Sequence, residues 1–162
     1  GLLYCGLIIT SSGVKVIEFN ARFGDPETQV VLARLSTPLA PLLLAAAQGA
    51  LADIPAPEFS DQVAMTVVLA SEGYPEAPQT GRVISGIDDA LAVTGVSIAH
   101  AATAESDGQL IATGGRVLSV IATGDAFDDA RTRAYKALAG IGLEGSHYRH
   151  DIAARVTDEH AG

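Results

Sequence analysis

Apolar positions run almost unbroken from Leu2 to Thr10, pause at Ser11-Ser12-Gly13, and resume as a mixed run from Val14 to Phe19. Runs of this length rich in β-branched and apolar residues predict strands, and the serine–glycine break predicts a tight turn between them. The first run reads as a buried strand and the second as the return arm of a hairpin. The period then lengthens. Val30, Val31, Ala33, Arg34 and Leu35 follow helical spacing behind Asp25-Pro26-Glu27. There Asp25 is expected to cap, Pro26 to fill the first turn and Glu27 to complement the positive helix end. Ser36-Thr37-Pro38 breaks this helix, and Thr37-Pro38 restarts another from Leu39 to Gln48, closed by Gly49. The second helix is apolar all round, which predicts burial between layers.

Beyond it, Ala52-Asp53-Ile54-Pro55-Ala56-Pro57-Glu58-Phe59-Ser60 carries two of the chain's seven prolines among acidic residues and reads as a linker. The pattern then changes to short strands punctuated by turn residues. Val63 to Ala70 is one strand, Ser71 to Pro75 a loop, and Val96 to Thr103 a second strand. Asp107-Gly108 is a hairpin turn with Gln109 to Ala112 as its return, and Gly114-Gly115 leads into a strand from Arg116 to Thr123. Asp125 is expected to cap a helix whose apolar face is Phe127, Ala130, Ala134, Leu138 and Ile141. Gly142 to Gly162 reads as irregular, ending in a polar, poorly ordered tail. The fold class is α+β. A hairpin-plus-helices unit over 1–51 is followed by a linker over 52–61, and a small, mostly antiparallel β domain with one long helix occupies 62–153. A tail over 154–162 closes the chain.

A net charge of −9 argues against a nucleic-acid partner, which calls for a basic patch. It leaves room for phosphorylated small molecules, which a few local arginines can hold. No apolar run nears the roughly 20 residues of a membrane span, so no membrane partner is expected. With one cysteine there is no internal disulfide, and a reducing cytoplasm is the natural compartment. Cys5, inside an apolar run, reads as a small buried hydrophobe. The chain opens on Gly1 inside a strand pattern, without a methionine or a basic leader, as a truncated or partial protein would.

The chemistry gathers where the second strand meets the first helix. Glu18 and Asn20 are two apart on a strand, so they share a face about 7 Å apart. A carboxylate and an amide oxygen there can hold a hard cation such as Mg²⁺, which takes few protein oxygens and fills its shell from water and phosphates. Arg22 follows two residues on, and the free N–H groups at the helix start favour an anion nearby. A lone Glu-x-Asn pair equally describes a solvated polar face. The length of the string decides here, together with the fact that Asn20 is the chain's single asparagine.

Glu18-Phe19-Asn20-Ala21-Arg22-Phe23-Gly24-Asp25-Pro26-Glu27-Thr28-Gln29 resembles the signature of the phosphoribosylamine–glycine ligase family, within the ATP-grasp enzymes. Glu-x-Asn-x-Arg is common to many ATP-grasp enzymes, and the continuation to Gln29 is specific to this family. Further landmarks follow in order: Ala70-Ser71-Glu72-Gly73-Tyr74-Pro75, Thr113-Gly114-Gly115-Arg116-Val117-Leu118 and Tyr148-Arg149-His150-Asp151-Ile152. The resemblance spans the chain as the C-terminal portion of a longer enzyme, with 1–51 as the end of the ATP-grasp domain. It implies joining of glycine to 5-phosphoribosylamine with ATP and Mg²⁺ (or Mn²⁺), through a glycyl phosphate, in purine biosynthesis. It implies that Glu18 and Asn20 are metal ligands and that Arg22 is catalytic, meeting the transferring phosphate. It further implies that Gly24 and Asp25 shape the substrate loop. The remaining partners would be the N-terminal domains of the same enzyme.

Each role has a plainer counterpart. Arg22 could pair with Asp25 or Glu27, and Asp25 and Glu27 could serve only as helix-start residues. Arg116, behind two glycines, could reach a substrate phosphate or lie in solvent on an edge strand. His147 and His150 form a His-x-x-His without further ligands and read as solvated tail. His100 reads as structural and Tyr74 as a loop anchor. Two other functions fit parts of the pattern: a sister ATP-grasp ligase acting on another carboxylate, or a non-catalytic module for binding or assembly.

Overall fold

A computed structural model describes residues 1–159 and divides the chain into two compact units, Gly1–Ser60 and Asp61–Gly162.

In the first unit, β1 (Tyr4–Thr10) and β2 (Gly13–Asn20) form an antiparallel hairpin. Gly13 closes the turn at φ +98°, and the Thr10 hydroxyl donates to the Gly13 carbonyl at 2.8 Å. The register shifts once: Gly6 pairs with Glu18 while Leu7 pairs with Val16, so Ile17 is the extra residue of a β-bulge. The expected burial of β1 and Cys5 is not found. Cys5 is exposed and Ile9 is 85% exposed, because a two-stranded ribbon has no second layer over most of its length here.

Helix α1 (Glu27–Arg34) starts after a cis Asp25–Pro26 bond, with Pro26 rather than Asp25 at the capping position. The Asp25 carboxylate instead accepts from the Gln29 side-chain amide at 2.8 Å. Helix α2 (Leu39–Gln48) follows Pro38 and ends at Gly49 in the left-handed conformation. Thr37 does not cap it, since its hydroxyl is taken by the Glu58 N–H at 2.8 Å. The expectation that α2 is buried fails as well. Ala45 is its one buried residue, and Leu43 and Leu44 are exposed. Glu58 to Ser60 is tied to the α1–α2 junction: Ser36 donates to the Glu58 carbonyl, and Ser60 donates to that of Arg34.

The second unit holds the larger core. Strands β3 (Val63–Ala70), β4 (Val96–His100) and β7 (Arg116–Gly124) form an antiparallel sheet in the order β3-β7-β4. Central β7 is buried on both faces from Val117 to Ala122, as its unbroken apolar run requires. A second ribbon pairs β5 (Thr103–Ser106) with β6 (Gln109–Ala112) across Asp107-Gly108, both at positive φ as a primed hairpin turn demands. The single strand expected over Val96–Thr103 is therefore two strands in two sheets. Helix α4 (Phe127–Gly140) packs Ala130, Ala134, Ala137 and Leu138 onto Val67, Leu69, Leu118 and Val120. Ala126 rather than Asp125 is its cap; Asp125 faces the Gln62 amide at 3.5 Å. A short helix α3 (Ile87–Leu91), not expected from the pattern, precedes β4.

The segment after α4 is irregular but bound. Tyr135 donates to the Arg149 carbonyl at 2.7 Å, and Arg131 reaches the carbonyls of His150 and Ile152. His147 pairs through its backbone with Ala70, and Tyr148 packs on the core, so this stretch is not solvated tail. Helix α5 (Ala154–Glu159) forms where the polar tail was expected; residues 160–162 of that tail lie outside the described residues.

Candidate functional site

The bulge at Ile17 decides which side chains share a face of the hairpin. Strict alternation along β2 would place Val14 and Val16 with Glu18 and Asn20. The extra residue resets the count. One face now carries Cys5, Leu7, Ile9, Val14, Val16 and Phe19, and the other carries Tyr4, Gly6, Ile8, Lys15, Glu18 and Asn20. Valines and acceptor oxygens are thus separated, and Glu18 and Asn20 stand together on the polar side.

Around them lie Gly6 and Tyr4, which the sequence reading passed over, together with the expected Gly24 and Glu27. Gly6 is buried directly opposite Glu18, and a Cβ there would sit 3.2 Å from the Glu18 Cγ. Tyr4 is directly opposite Asn20. Its hydroxyl pKa is raised, first by partial desolvation, then by its hydrogen bond to Glu27 and the charges of Glu27 and Glu18. Glu27 therefore shares the neighbourhood of Tyr4 with Glu18. Gly24 is buried against Glu27, where a Cβ would lie 2.6 Å from a carboxylate oxygen. A cavity of about 220 Å³, lined among others by Tyr4, Phe23, Gly24, Glu27 and Val31, separates the start of β1 from α1. A glycine inside an apolar strand run marks close backbone approach, and that signal at Gly6 was legible.

The other expected site residues are placed as follows. The Arg22 guanidinium donates to the Phe23 carbonyl at 2.9 Å and is otherwise exposed. Gly24 accepts from the Thr28 N–H at 3.2 Å, closing the loop onto α1. Beside Asp25, the Gln29 side-chain oxygen is buried without a partner among the described residues. Glu18, Asn20, Arg22, Gly24 and Asp25 thus lie on one strand–loop segment of the first unit. Arg116, the first residue of β7, belongs to the second unit. There the Ser71 hydroxyl and N–H bind the carbonyls of Gly114 and Gly115, holding the turn that precedes it.

The donor chemistry fits a hard divalent cation. One carboxylate and one amide oxygen stand on an open face, and no cluster of three His, Cys, Asp or Glu is found among the described residues. Two protein oxygens leave the other positions to water and phosphate, as Mg²⁺ prefers. No helix of the described residues is long and apolar enough to cross a membrane.

Comparison with known proteins identifies the family of both units. Residues 64–155 match the family described as Phosphoribosylglycinamide synthetase, C domain, and residues 1–28 match its ATP-grasp (A) domain. The chain is 66% identical over 158 residues to a phosphoribosylamine–glycine ligase of Leifsonia xyli, covering 96% of this chain and 38% of that protein. It is 58% identical to one of Streptomyces coelicolor, with the same coverage. A solved phosphoribosylamine–glycine ligase from Thermotoga maritima superposes with a TM-score of 0.77 at 34% identity, over 92% of this chain and 36% of that one. The chain spans somewhat more than a third of the length of these relatives, and it belongs to the phosphoribosylglycinamide synthetase family.

Proposed function

We propose that this chain is the C-terminal part of an ATP-dependent ligase that joins glycine to 5-phosphoribosylamine. The observation that carries the proposal is the pairing of Glu18 and Asn20 on the polar face of the bulged hairpin, immediately before Arg22 to Gln29. The 66% identity to a relative named for that reaction supports it. In this reading a glycine carboxylate oxygen attacks the γ-phosphorus of ATP, and ADP leaves. The amine of 5-phosphoribosylamine then attacks the glycyl carbon, phosphate leaves, and one amine proton is released. The product is glycinamide ribonucleotide.

Glu18 and Asn20 would hold Mg²⁺, or Mn²⁺ in its place, which supplies charge neutralisation for the triphosphate facing the carboxylate. Arg22 meets the transferring phosphoryl group or the acyl phosphate, since its guanidinium stays charged and offers a planar fork. Gly24 and Asp25 shape the substrate loop, and Arg116 contacts a substrate phosphate.

Residues 1–51 are the end of the ATP-grasp domain, 52–61 the linker, 62–153 the C-terminal domain and 154–162 a tail. The partners are the N-terminal domains of the same enzyme, which cover the bare apolar face of the hairpin. The compartment is the cytoplasm. Alone, the 162 residues are inactive, because adenine and glycine sites lie in the absent part; turnover by the isolated chain would refute this.

The test is ADP release by the full-length enzyme with glycine and 5-phosphoribosylamine, comparing wild type with Glu18→Gln and Asn20→Ala. Glycine-dependent turnover that collapses in both variants supports the ligase and the metal roles. Turnover with another carboxylate points to a sister ATP-grasp ligase. No ATP consumption with any acceptor leaves a binding or assembly module.

A further inference from the structure

We propose that Gly6 is a positioning residue for the metal-ligating carboxylate, an inference that rests on the proposed role of Glu18. Gly6 faces Glu18 across the hairpin, at the point where the bulge resets the register. Its missing side chain is what leaves room for the Glu18 stem. A Cβ there would lie 3.2 Å from the Glu18 Cγ and 3.6 Å from both the Glu18 N and O. The backbone atoms at 3.6 Å are in ordinary contact, so the strand pairing tolerates a methyl group. The Cγ at 3.2 Å does not, and it must give way. Two bonds further out, at the carboxylate, that small rotation becomes a larger displacement.

Escape routes for the side chain are few. Tyr4, two residues before Gly6, occupies the same face opposite Asn20, and its hydroxyl neighbourhood already holds Glu27. Displacing Glu18 toward it brings two carboxylates together. Displacing it the other way opens the distance to Asn20. Metal sites tolerate little of either, since ligands must be held within about 0.5 Å of their working geometry. Gly24 plays the same part beneath Glu27, so each of the two carboxylates rests over a glycine.

The test is Mn²⁺ binding to the full-length enzyme in the presence of ATP, read by electron paramagnetic resonance, with thermal melting alongside. Gly6→Ala is expected to weaken Mn²⁺ about tenfold, the lower range for residues that orient ligands. Adding Gly6→Ala to a Glu18→Ala enzyme, which lacks the Cγ, should weaken Mn²⁺ no further. Unchanged Mn²⁺ affinity in Gly6→Ala, with a loss in Glu18→Ala, overturns the positioning role and leaves the metal role intact. An unchanged affinity in Glu18→Ala overturns both. If Gly6→Ala fails to fold while the double variant folds, the clash with Glu18 is established by stability instead. If neither folds, the backbone is at fault and the proposal falls.

Discussion

The ring of Tyr74 lies against the bare Cα of Gly115, so closely that a Cβ there would overlap the ring atoms. The contact locks the loop after β3 to the turn before β7, and two hydrogen bonds from Ser71 to Gly114 and Gly115 at 2.7 and 2.8 Å secure it. Gly115 does not need positive φ. Its requirement is space alone. Gly115→Ala should therefore lower stability by about 1–3 kcal/mol, the usual cost of overpacking. In a Tyr74→Ala background the same change should cost much less, and a melting double-mutant cycle reads the difference. Equal costs in both backgrounds would show that the ring is not the obstacle.

Leu138 on α4 and Leu118 on β7 are both fully buried in the core of the second unit. Either residue changed to alanine should cost about 2–5 kcal/mol, as large-to-small changes in packed cores do. Chemical denaturation measures it. A loss below about 1 kcal/mol at both positions would mean that the core repacks around the gap.

Arg149 holds Asp151 by two charge-assisted hydrogen bonds, Nε to Oδ1 at 2.9 Å and Nη2 to Oδ2 at 2.8 Å. The Asp151 carboxyl pKa is lowered, chiefly by those bonds. The folded pKa lies below the unfolded one, so the stabilisation is present above the unfolded value and is lost as pH falls through the folded value. Both side chains are well exposed, so the effect belongs in a titration rather than a melting curve. The Asp151 carboxyl carbon, followed by NMR, should titrate below the ordinary aspartate range and return to it in Arg149→Gln. An unchanged midpoint in the variant would dissociate the pair in solution.

Much of this architecture was readable in the chain because the deciding interactions are local. β3 ends where its apolar run ends, Asp107-Gly108 dictates its own turn, and the 3–4 spacing of Ala130, Ala134 and Leu138 marks the buried face of α4. What escaped was set by partners far along the sequence. The bulge at Ile17 exists only through pairing with Gly6 and Leu7. Thr37 looks like a cap until Glu58 takes its hydroxyl, and Val96–Thr103 divides because two different sheets claim its halves. Helix α3 is a different case: Asp88 and Asp89 in its first turn were a local signal, and a five-residue helix was too short to show a period. In the site, Glu18, Asn20 and Arg22 stood out by residue type. Tyr4 and Gly6 stand on the neighbouring strand, and only the pairing register shows that they face Asn20 and Glu18, although the glycine itself was legible as a point of close approach.

For Arg22, the proposed role on the transferring phosphoryl group sets the kinetic signature. Its fork donates to the Phe23 carbonyl at 2.9 Å, which leaves further N–H groups for a ligand. Arg22→Lys in the full-length enzyme keeps the charge and removes the fork. kcat should fall about 10²-fold, as when a donor to a developing charge is lost, with the ATP KM little changed. A rise in KM at constant kcat would make Arg22 a ground-state binding residue instead.

The apolar face of the hairpin gives a test whose sign depends on how much of the enzyme is present. Ile9 is 85% exposed in this chain, so Ile9→Asp should change the stability of the 162 residues by no more than about 0.5 kcal/mol. If the N-terminal domains cover that face, the same aspartate in the full-length enzyme becomes a buried, unpaired charge. A carboxylate so placed either stays charged at a cost of several kcal/mol or protonates and titrates well above its ordinary range. The full-length variant should therefore melt lower than wild type and lose less stability at acidic pH. Equal tolerance of Ile9→Asp in both proteins would mean that the face stays open to solvent in the whole enzyme. The bare strands would then need a different explanation from domain contact.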